Sequence, residues 1–181
     1  MRVTRTDLAE VLLIEPTVHR DGRGFFVESY HAARYAEHLG ADVRFVQDNH
    51  SRSGAGVLRG LHYQLARPQG KLVRVTFGRI FDVAVDLRRG SPAFGRWTAV
   101  ELSADDHRQL WIPPGFAHGF LVLGDAAEVQ YKTTDYWVAD DERCVRFDDP
   151  TIGIPWPLTG EPVLSARDRA APLLGAADTY P

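Results

Sequence analysis

Short apolar segments separated by turns rich in glycine and proline recur along most of this 181-residue chain. Segments of this kind favour β-strands, and strands at regular spacing with little helix between them are typical of an all-β sandwich or barrel. The clearest case is residues 79–88, where the apolar residues alternate with their neighbours. A period of two places Phe81, Val83, Val85 and Leu87 on one face of a strand.

The strand-rich part of the chain is followed by a tail of different composition. The sequence predicts an all-β double-stranded β-helix, or jelly roll, with a few short helices. Only residues 31–39 carry apolar side chains at clear helical spacing. After about residue 148, proline and small residues predict coil and short helix packed over the sheet. We expect a single domain over residues 1–181, with the barrel core at about 10–147 and the tail at about 148–181.

The composition argues against several functional classes. A net charge of −3 gives no general attraction to nucleic acid or to a membrane surface. Cys144 is the only cysteine, so neither an intrachain disulfide nor a cysteine-rich zinc site is possible. The segment MRVTRTDLAE at the N-terminus lacks the apolar core of a signal peptide, and no apolar run approaches membrane-spanning length. We expect a cytoplasmic enzyme or binding protein with no nucleic-acid or membrane partner.

The segment VLRGLHYQ, residues 57–64, brings an arginine, a glycine and a histidine close together in a predicted strand. Strand parity puts His62 on the same face as Leu58, and Arg59 on the opposite face. Gly60 lies between the arginine and the histidine, where a β-bulge would bring both to one side. A lone strand histidine is more often structural, so a functional interpretation depends on further features of the chain.

Three later segments supply those features. The turn-forming prolines of WIPPGFAHGF present His118. In EVQYKTTDYW, strand parity puts Tyr131 and Trp137 on one face, towards the same cavity. The segment LSARD places Arg167 and Asp168 in the tail, from which they can fold back over the barrel.

A metal-dependent oxygenase is one alternative for a jelly roll with an early and a late histidine. Sites of that kind use an HxH pair, a glutamate and a later histidine. Here the pair reads His62-Tyr63-Gln64, and no glutamate lies between Gln64 and Arg89. Two ligands of four are too few for such a site, so no metal is expected.

The same side chains suit proton abstraction next to a carbonyl. A histidine titrates near neutral pH, so His62 can act as the base, and an aspartate on its other ring nitrogen would fix its tautomer. Lys71 can stabilise the developing enolate oxygen, and Tyr131 can protonate the opposite face of the carbon. Taken alone, a strand lysine is more often an exposed charge and a strand tyrosine a buried one. The catalytic interpretation therefore depends on finding His62, Lys71 and Tyr131 together.

The order of the motifs along the chain resembles one enzyme family. The motifs are FFVES, QDNHS, GVLRGLHYQ, GKLVRV, IFDVAVDLR, GSPAFGRW, QLWIPPGFAHGF, YKTTDYW, DDP, IPW and LSARD. Together they resemble the dTDP-4-dehydrorhamnose 3,5-epimerase family over about Glu15 to Asp168. The resemblance implies a cupin-like jelly-roll homodimer that needs no cofactor and acts on a dTDP-4-keto-6-deoxyhexose in dTDP-rhamnose biosynthesis.

The resemblance also implies roles for individual residues. His62 is the base and Asp168 its partner. Tyr131 is the general acid, Lys71 faces the sugar near C4, and Trp137 stacks on the thymine. The remaining substrate contacts are Arg23, Phe26, Glu28, Gln47, Asn49, Arg59, His118, Glu142 and Arg167. Many members have tyrosine in place of Trp137 and lysine in place of Arg167, and both replacements keep an aromatic face and a cation.

Several activities fit this set of residues. The leading one is inversion at both C3 and C5 of dTDP-4-dehydro-6-deoxy-D-glucose, giving dTDP-4-dehydro-L-rhamnose. Inversion at C3 alone or at C5 alone uses the same groups, and the sequence does not separate it from the first. A non-catalytic module that binds sugar nucleotides is disfavoured, because the base, its partner and the acid are all present.

Overall fold

β-Strands are the main secondary structure of the computed structural model, which describes all 181 residues. In chain order the elements are β1 (Arg2–Arg5), β2 (Leu12–Glu15), β3 (Val18–Asp21), β4 (Gly24–Val27), α1 (Ala32–Leu39), β5 (Gln47–Gly54), β6 (Leu58–Gln64), β7 (Lys71–Asp86), β8 (Trp97–Ser103), β9 (Gln109–Ile112), β10 (Phe116–Thr133), β11 (Glu142–Cys144), α2 (Ala166–Arg169) and a 3₁₀ helix (Leu174–Ala176). The predicted all-β class with a few short helices is confirmed.

Nine of the strands form one sheet in the order β1-β2-β9-β7-β10-β6-β11, with β5 beside β10 and β8 beside β7. All of these pairings are antiparallel. The strands β3 and β4 form a separate hairpin. Strands β7 and β10 pair with each other along most of their lengths, so together they form the centre of the sheet.

The two longest strands, β7 and β10, each run through a glycine at which the sequence predicts a turn between two shorter strands. The glycines are Gly78 in β7 and Gly124 in β10. Both have positive φ, 69° and 102°, and the register between the strands shifts from Leu123 to Glu128. A glycine at positive φ can bend a strand at a bulge without reversing it. Apolar patterning alone does not distinguish such a bend from a turn.

The alternation predicted for residues 79–88 is confirmed, because the two faces of β7 contribute to two different apolar clusters. Ile80 and Ala84 pack in one cluster, and Val83 and Val85 pack in the other with residues of the C-terminal tail. Complete burial of a valine or leucine side chain contributes about 1.5–3 kcal/mol. The tail therefore stabilises the outer face of the strand whose inner face lines the barrel.

The tail packs as coil, the short helix α2 and the 3₁₀ helix, as the sequence predicts. Three strands are not predicted: β1, β3, and β11 with only three residues. The segment DVRFVQDN, residues 42–49, also predicts a strand, but the strand begins later, because β5 covers Gln47–Gly54. These four segments are mostly polar, so the edge or hairpin pairing that makes them strands leaves no apolar pattern in the sequence.

The predicted helix over residues 31–39 is confirmed as α1, which begins at Ala32. The ring of His31 caps it by accepting a hydrogen bond from the Arg34 amide, and Gly40 follows its last residue at a φ of 113°. No helix in the structure combines the length and apolarity needed to cross a membrane.

Candidate active site

A β-bulge between β6 and β10 shapes the site. His118 pairs with His62 and Phe120 pairs with Arg59, so two residues of β6 oppose one residue of β10. The bulge predicted at Gly60 is therefore confirmed. Gly60 has a φ of 129°, and a Cβ atom there would lie 2.5 Å from the Cα atom of the glycine opposite. Because the bulge shifts parity by one residue, Arg59 and His62 both line the same pocket.

The pocket has a volume of about 230 Å³ and is lined mainly by polar side chains. It brings together nine residues that the sequence predicts for the site, which are Gln47, Asn49, Arg59, His62, Lys71, His118, Tyr131, Trp137 and Glu142. Its other lining residues were not predicted, and these are Ser51, Gln69, Gly119 and Phe120. Strands β5, β6, β7, β10 and β11 all contribute, which is why no local stretch of sequence contains the whole site.

His62 and Asp168 form a hydrogen-bonded pair although they lie 106 positions apart in the sequence. The distance between His62 Nε2 and Asp168 Oδ1 is 2.5 Å. Ser165 caps α2 by accepting from the Asp168 amide and donates its hydroxyl to Asp168 Oδ2 at 2.8 Å. Burial alone would raise the pKa of Asp168, but hydrogen bonds from His62, Ser165 and Cys144 outweigh that effect and lower it. An ionised Asp168 holds the proton on Nε2, which leaves Nδ1 of His62 as the basic nitrogen.

A second histidine–aspartate pair lies beside the first, because His118 of β10 is the strand partner of His62. His118 Nε2 is 2.7 Å from Asp82 Oδ1, and both side chains are buried. Burial lowers the pKa of His118 even though the neighbouring Asp82 charge acts in the opposite direction. The other oxygen, Asp82 Oδ2, is buried without a hydrogen-bond partner. Asp82 was not among the predicted site residues, although an aspartate among apolar inward positions of a strand is a usable signal.

Lys71 is buried in the same pocket, and its Nζ atom donates to the main-chain carbonyl of His62 at 3.3 Å. Burial lowers the pKa of Lys71 to about 8, while the negative charges of Glu142 and Asp82 limit the decrease. The ammonium group is therefore retained near neutral pH in a site from which water is largely excluded. A desolvated cation of this kind strongly stabilises a developing oxyanion.

Tyr131 carries a protonated hydroxyl in the pocket. Burial raises its pKa, and the nearby charge of Glu142 adds to the increase. The predicted strand parity linking Tyr131 to Trp137 is wrong, because β10 ends at Thr133. Trp137 instead reaches the pocket from the following loop, where its amide donates to Gln47 Oε1 at 3.0 Å. The Trp137 residue is 54% exposed, so its ring is accessible to a stacking partner.

The guanidinium group of Arg167 reaches the pocket rim through Glu142. The two side chains form an ion pair, and Arg167 Nη2 also donates to the Glu142 carbonyl oxygen at 2.6 Å. Arg167 is not itself part of the lining. Its cation lies close enough to the pocket to act on a bound anion there.

Three of the predicted substrate contacts do not join the pocket of their own chain. Arg23 lies in the turn of the β3–β4 hairpin and pairs with Asp21 at 2.5 Å. Phe26, on β4, is 69% exposed, and Glu28 pairs with Arg34 at 2.6 Å. The hairpin pairs with no other strand of the chain, and none of these three side chains lines the pocket.

One group of side chains has the atom types of a metal site. His62, Cys144 and Asp168 each place one ligand atom within 4.8 Å of the others. The imidazole and the thiol both donate to the same carboxylate oxygen. We therefore describe the group as a hydrogen-bonded cluster behind the pocket and assign no metal to it.

The fold and the pocket together define an acid–base isomerase built on a jelly-roll barrel. A model of the family described as dTDP-4-dehydrorhamnose 3,5-epimerase matches residues 5–176, and the chain belongs to this family. The resemblance seen in the motifs is thereby confirmed.

Known relatives agree with this assignment. The chain is 56% identical to a dTDP-4-dehydrorhamnose 3,5-epimerase of Pseudomonas aeruginosa over 181 residues, which is 100% of both chains. It is similar to the crystal structure of a dTDP-6-deoxy-D-glucose-3,5-epimerase from Legionella pneumophila in complex with dTDP-4-keto-L-rhamnose. That match has a TM-score of 0.96 and 52% identity, and it covers 98% of this chain and 94% of the other.

A 3′-monoepimerase from Streptomyces bikiniensis, in complex with dTDP-quinovose, is also similar. Its TM-score is 0.89 with 34% identity, covering 94% of this chain and 87% of that one. The backbone fold is thus shared between an enzyme described as a 3,5-epimerase and one described as a monoepimerase. The higher sequence identity is to the former.

Proposed function

We propose that this protein inverts C3 and C5 of dTDP-4-dehydro-6-deoxy-D-glucose and produces dTDP-4-dehydro-L-rhamnose. The observation that carries the proposal is the pocket that contains His62 with Asp168 behind it, Lys71 and Tyr131. These groups supply a base, a cation for the enolate oxygen and an acid. Membership of the epimerase family supports the choice of substrate.

The proposed reaction proceeds in the same way at each carbon beside the C4 ketone. Nδ1 of His62 takes the proton, the C–H electron pair moves into the enolate, and Lys71 stabilises the oxygen at C4. Asp168 stabilises the imidazolium that forms. Tyr131 then donates its hydroxyl proton to the opposite face of the carbon. Loss of the His62 proton to solvent and return of a proton to Tyr131 restore the starting state.

We propose that Trp137 stacks on the thymine and that the nearby cations bind the diphosphate. The exposed indole offers a flat apolar surface. Arg59 is oriented by a hydrogen bond from its Nε atom to Ser53 Oγ at 2.9 Å, and Arg167 lies at the rim. Base–aromatic stacking contributes about 1–3 kcal/mol. Trp137→Ala should therefore weaken dTDP binding by that amount, with a smaller effect on the chemical step.

We further propose that the protein is a cytoplasmic homodimer. The β3–β4 hairpin carries two exposed aromatic side chains, Phe25 and Phe26, and has no partner strand in its own chain. In a dimer, Arg23 and Phe26 of the hairpin, with Glu28 just after it, would contact substrate in the pocket of the second copy. Sedimentation equilibrium should show a dimer at micromolar concentration, and a fully active monomer would contradict the proposal.

The central experiment is NMR of dTDP-4-keto-6-deoxyglucose incubated with the enzyme in D₂O. Deuterium at both C3 and C5, together with the L-sugar product, is expected. Deuterium and inversion at one carbon only would identify a single-site epimerase, and absence of any exchange would identify a binding module. Activity should also survive EDTA. Loss of activity on chelation, restored by one metal, would favour the oxygenase-type alternative.

A further inference from the structure

The thiol of Cys144 lies against the catalytic pair on the side away from the pocket. Cys144 is the last residue of β11 and is paired with His62 of β6. Its Sγ atom is 3.5 Å from Asp168 Oδ1, the same oxygen that accepts the Nε2 proton of His62. The carbonyl oxygen of Val145 is the other possible acceptor, at 3.6 Å. One S–H proton serves one acceptor at a time, and a carboxylate is the stronger of the two.

The thiol remains protonated in this environment. Cys144 is only 7% exposed, and burial raises its pKa to about 12, with the negative charge of Asp168 adding to the increase. It therefore acts as a hydrogen-bond donor to Asp168 and not as a nucleophile or thiolate. A thiol is a weaker donor than a hydroxyl, so it leaves most of the electron density of the shared oxygen to His62.

We propose that Cys144 is a positioning residue that sets the basicity of His62 through the shared oxygen of Asp168. A stronger donor at this position would draw charge from Oδ1 and destabilise the imidazolium. Removal of the donor would have the opposite effect. The proposal rests on the proposed function only for its catalytic consequence, because the hydrogen bonds exist in the free enzyme.

Other groups that face Asp168 must stay constant for this effect to be measured. They are the His62 imidazole of β6, the Ser165 hydroxyl before α2 and the Arg169 guanidinium group of α2, while the charges of Glu142 and Arg167 act on the Cys144 thiol itself. Substitution of Cys144 leaves all of them in place. The side chain does not line the pocket, so KM should change little.

The test is an NMR titration of the His62 imidazole in the free enzyme, assigned by comparison with His62→Asn. In Cys144→Ser the midpoint should move to lower pH, and in Cys144→Val it should move to higher pH, each by about half a unit. The acid limb of the pH profile of deuterium exchange into substrate should move in the same order. Tyr63→Phe is a matched control, because it removes a buried donor that bonds to the Asp178 carbonyl and not to Asp168.

Equal midpoints in the parent protein, Cys144→Ser and Cys144→Val would overturn the proposal, whatever happens to thermal stability. If Cys144→Val does not fold, Cys144→Ala supplies the variant without a donor. Shifted midpoints in a protein that exchanges no deuterium would uphold this inference while contradicting the proposed function. The titration and the turnover measurement thus separate the two.

Discussion

His62 and His118 lie opposite each other on β6 and β10, and each places its Nε2 atom against an aspartate. The His62 side chain is 28% exposed, and its partner Asp168 also accepts hydrogen bonds from Ser165 and from Cys144. The His118 side chain is 7% exposed, and one oxygen of its partner Asp82 has no donor. The two pairs share their residue types but not their surroundings.

This difference assigns the two histidines different roles. Burial lowers the pKa of His118, so its ring stays neutral near pH 7, with the Nε2 proton directed at Asp82. His62 lines the pocket, and the hydrogen bonds that lower the pKa of Asp168 keep an ionised carboxylate beside the ring, so an imidazolium formed there has a counter-ion. A histidine–aspartate pair is therefore insufficient to define a base. The exposure of the ring and the donors to the carboxylate decide it.

The largest expected effect separates the two histidines directly. His62→Asn should reduce deuterium exchange at both C3 and C5 by about 10⁴-fold, because it removes the base. His118→Asn should keep most of the exchange and alter mainly substrate binding. The measurement is NMR of substrate in D₂O with both variants. Loss of exchange at one carbon in His62→Asn and at the other carbon in His118→Asn would show that each histidine serves one carbon.

A second comparison asks which group returns the proton. Tyr131→Phe should lower product formation by about 10²–10³-fold, because inversion needs a donor on the opposite face of the carbon. Abstraction by His62 should continue, so deuterium should enter the substrate with retained configuration faster than product forms. Turnover near the parent rate would assign the acid to another group or to water.

The sequence predicts much of the site because its residues lie in motifs that resemble those of a known family. The bulge at Gly60 follows from a glycine between two functional residues, and the candidate roles of Tyr131 and Lys71 follow from chemistry. The partner of His118 was missed because the alternation within IFDVAVDLR, which contains Asp82, predicts a strand and no role in the site. Trp137 was placed in the pocket by a wrong argument, since the strand ends before it.

The remaining gaps concern contacts between distant segments. Gln69 enters the pocket lining from a loop, where its side-chain amide donates to the Asp135 carbonyl at 2.8 Å. Cys144 meets Asp168 only after the tail has packed against β6 and β11, whereas the contact of Ser165 with Asp168 is local to the cap of α2. Sequence periodicity does not reveal contacts of this kind, because it reflects only the secondary structure of each segment by itself.

The pH dependence of the rate distinguishes the two aspartates, Asp82 and Asp168. Lys71 has a pKa of about 8, so the cation is present below that pH and is lost as the pH rises through it. The rate should therefore decrease about fivefold from pH 8 to pH 9. The charge of Asp82 helps to raise the pKa of Lys71, so Asp82→Asn should move this alkaline limb to lower pH. Asp168→Asn should lower the rate and leave the alkaline limb in place.

Two variants control this pH comparison. Glu142→Gln removes the other charge that raises the pKa of Lys71 and should move the limb in the same direction as Asp82→Asn. Lys71→Met should show low activity without the limb. An alkaline limb that stays in place in both Asp82→Asn and Glu142→Gln would show that another group controls it.

The variant with the smallest expected effect, Ser165→Ala, tests whether the hydrogen-bond donors to Asp168 affect kcat in addition to the exposure of His62. Ser165→Ala removes the hydroxyl that donates to Asp168 Oδ2 and caps α2, so the outer oxygen of Asp168 then resembles that of Asp82. Loss of the cap should cost about 1 kcal/mol of unfolding free energy, and kcat should decrease about 3–10-fold with little change in KM. Ser165→Thr keeps the hydroxyl and should restore both. If Ser165→Ala lowers stability but leaves kcat at the parent value, the hydroxyl is only a helix cap. Exposure of His62 to the pocket would then be sufficient to explain why this histidine, and not His118, acts as the base.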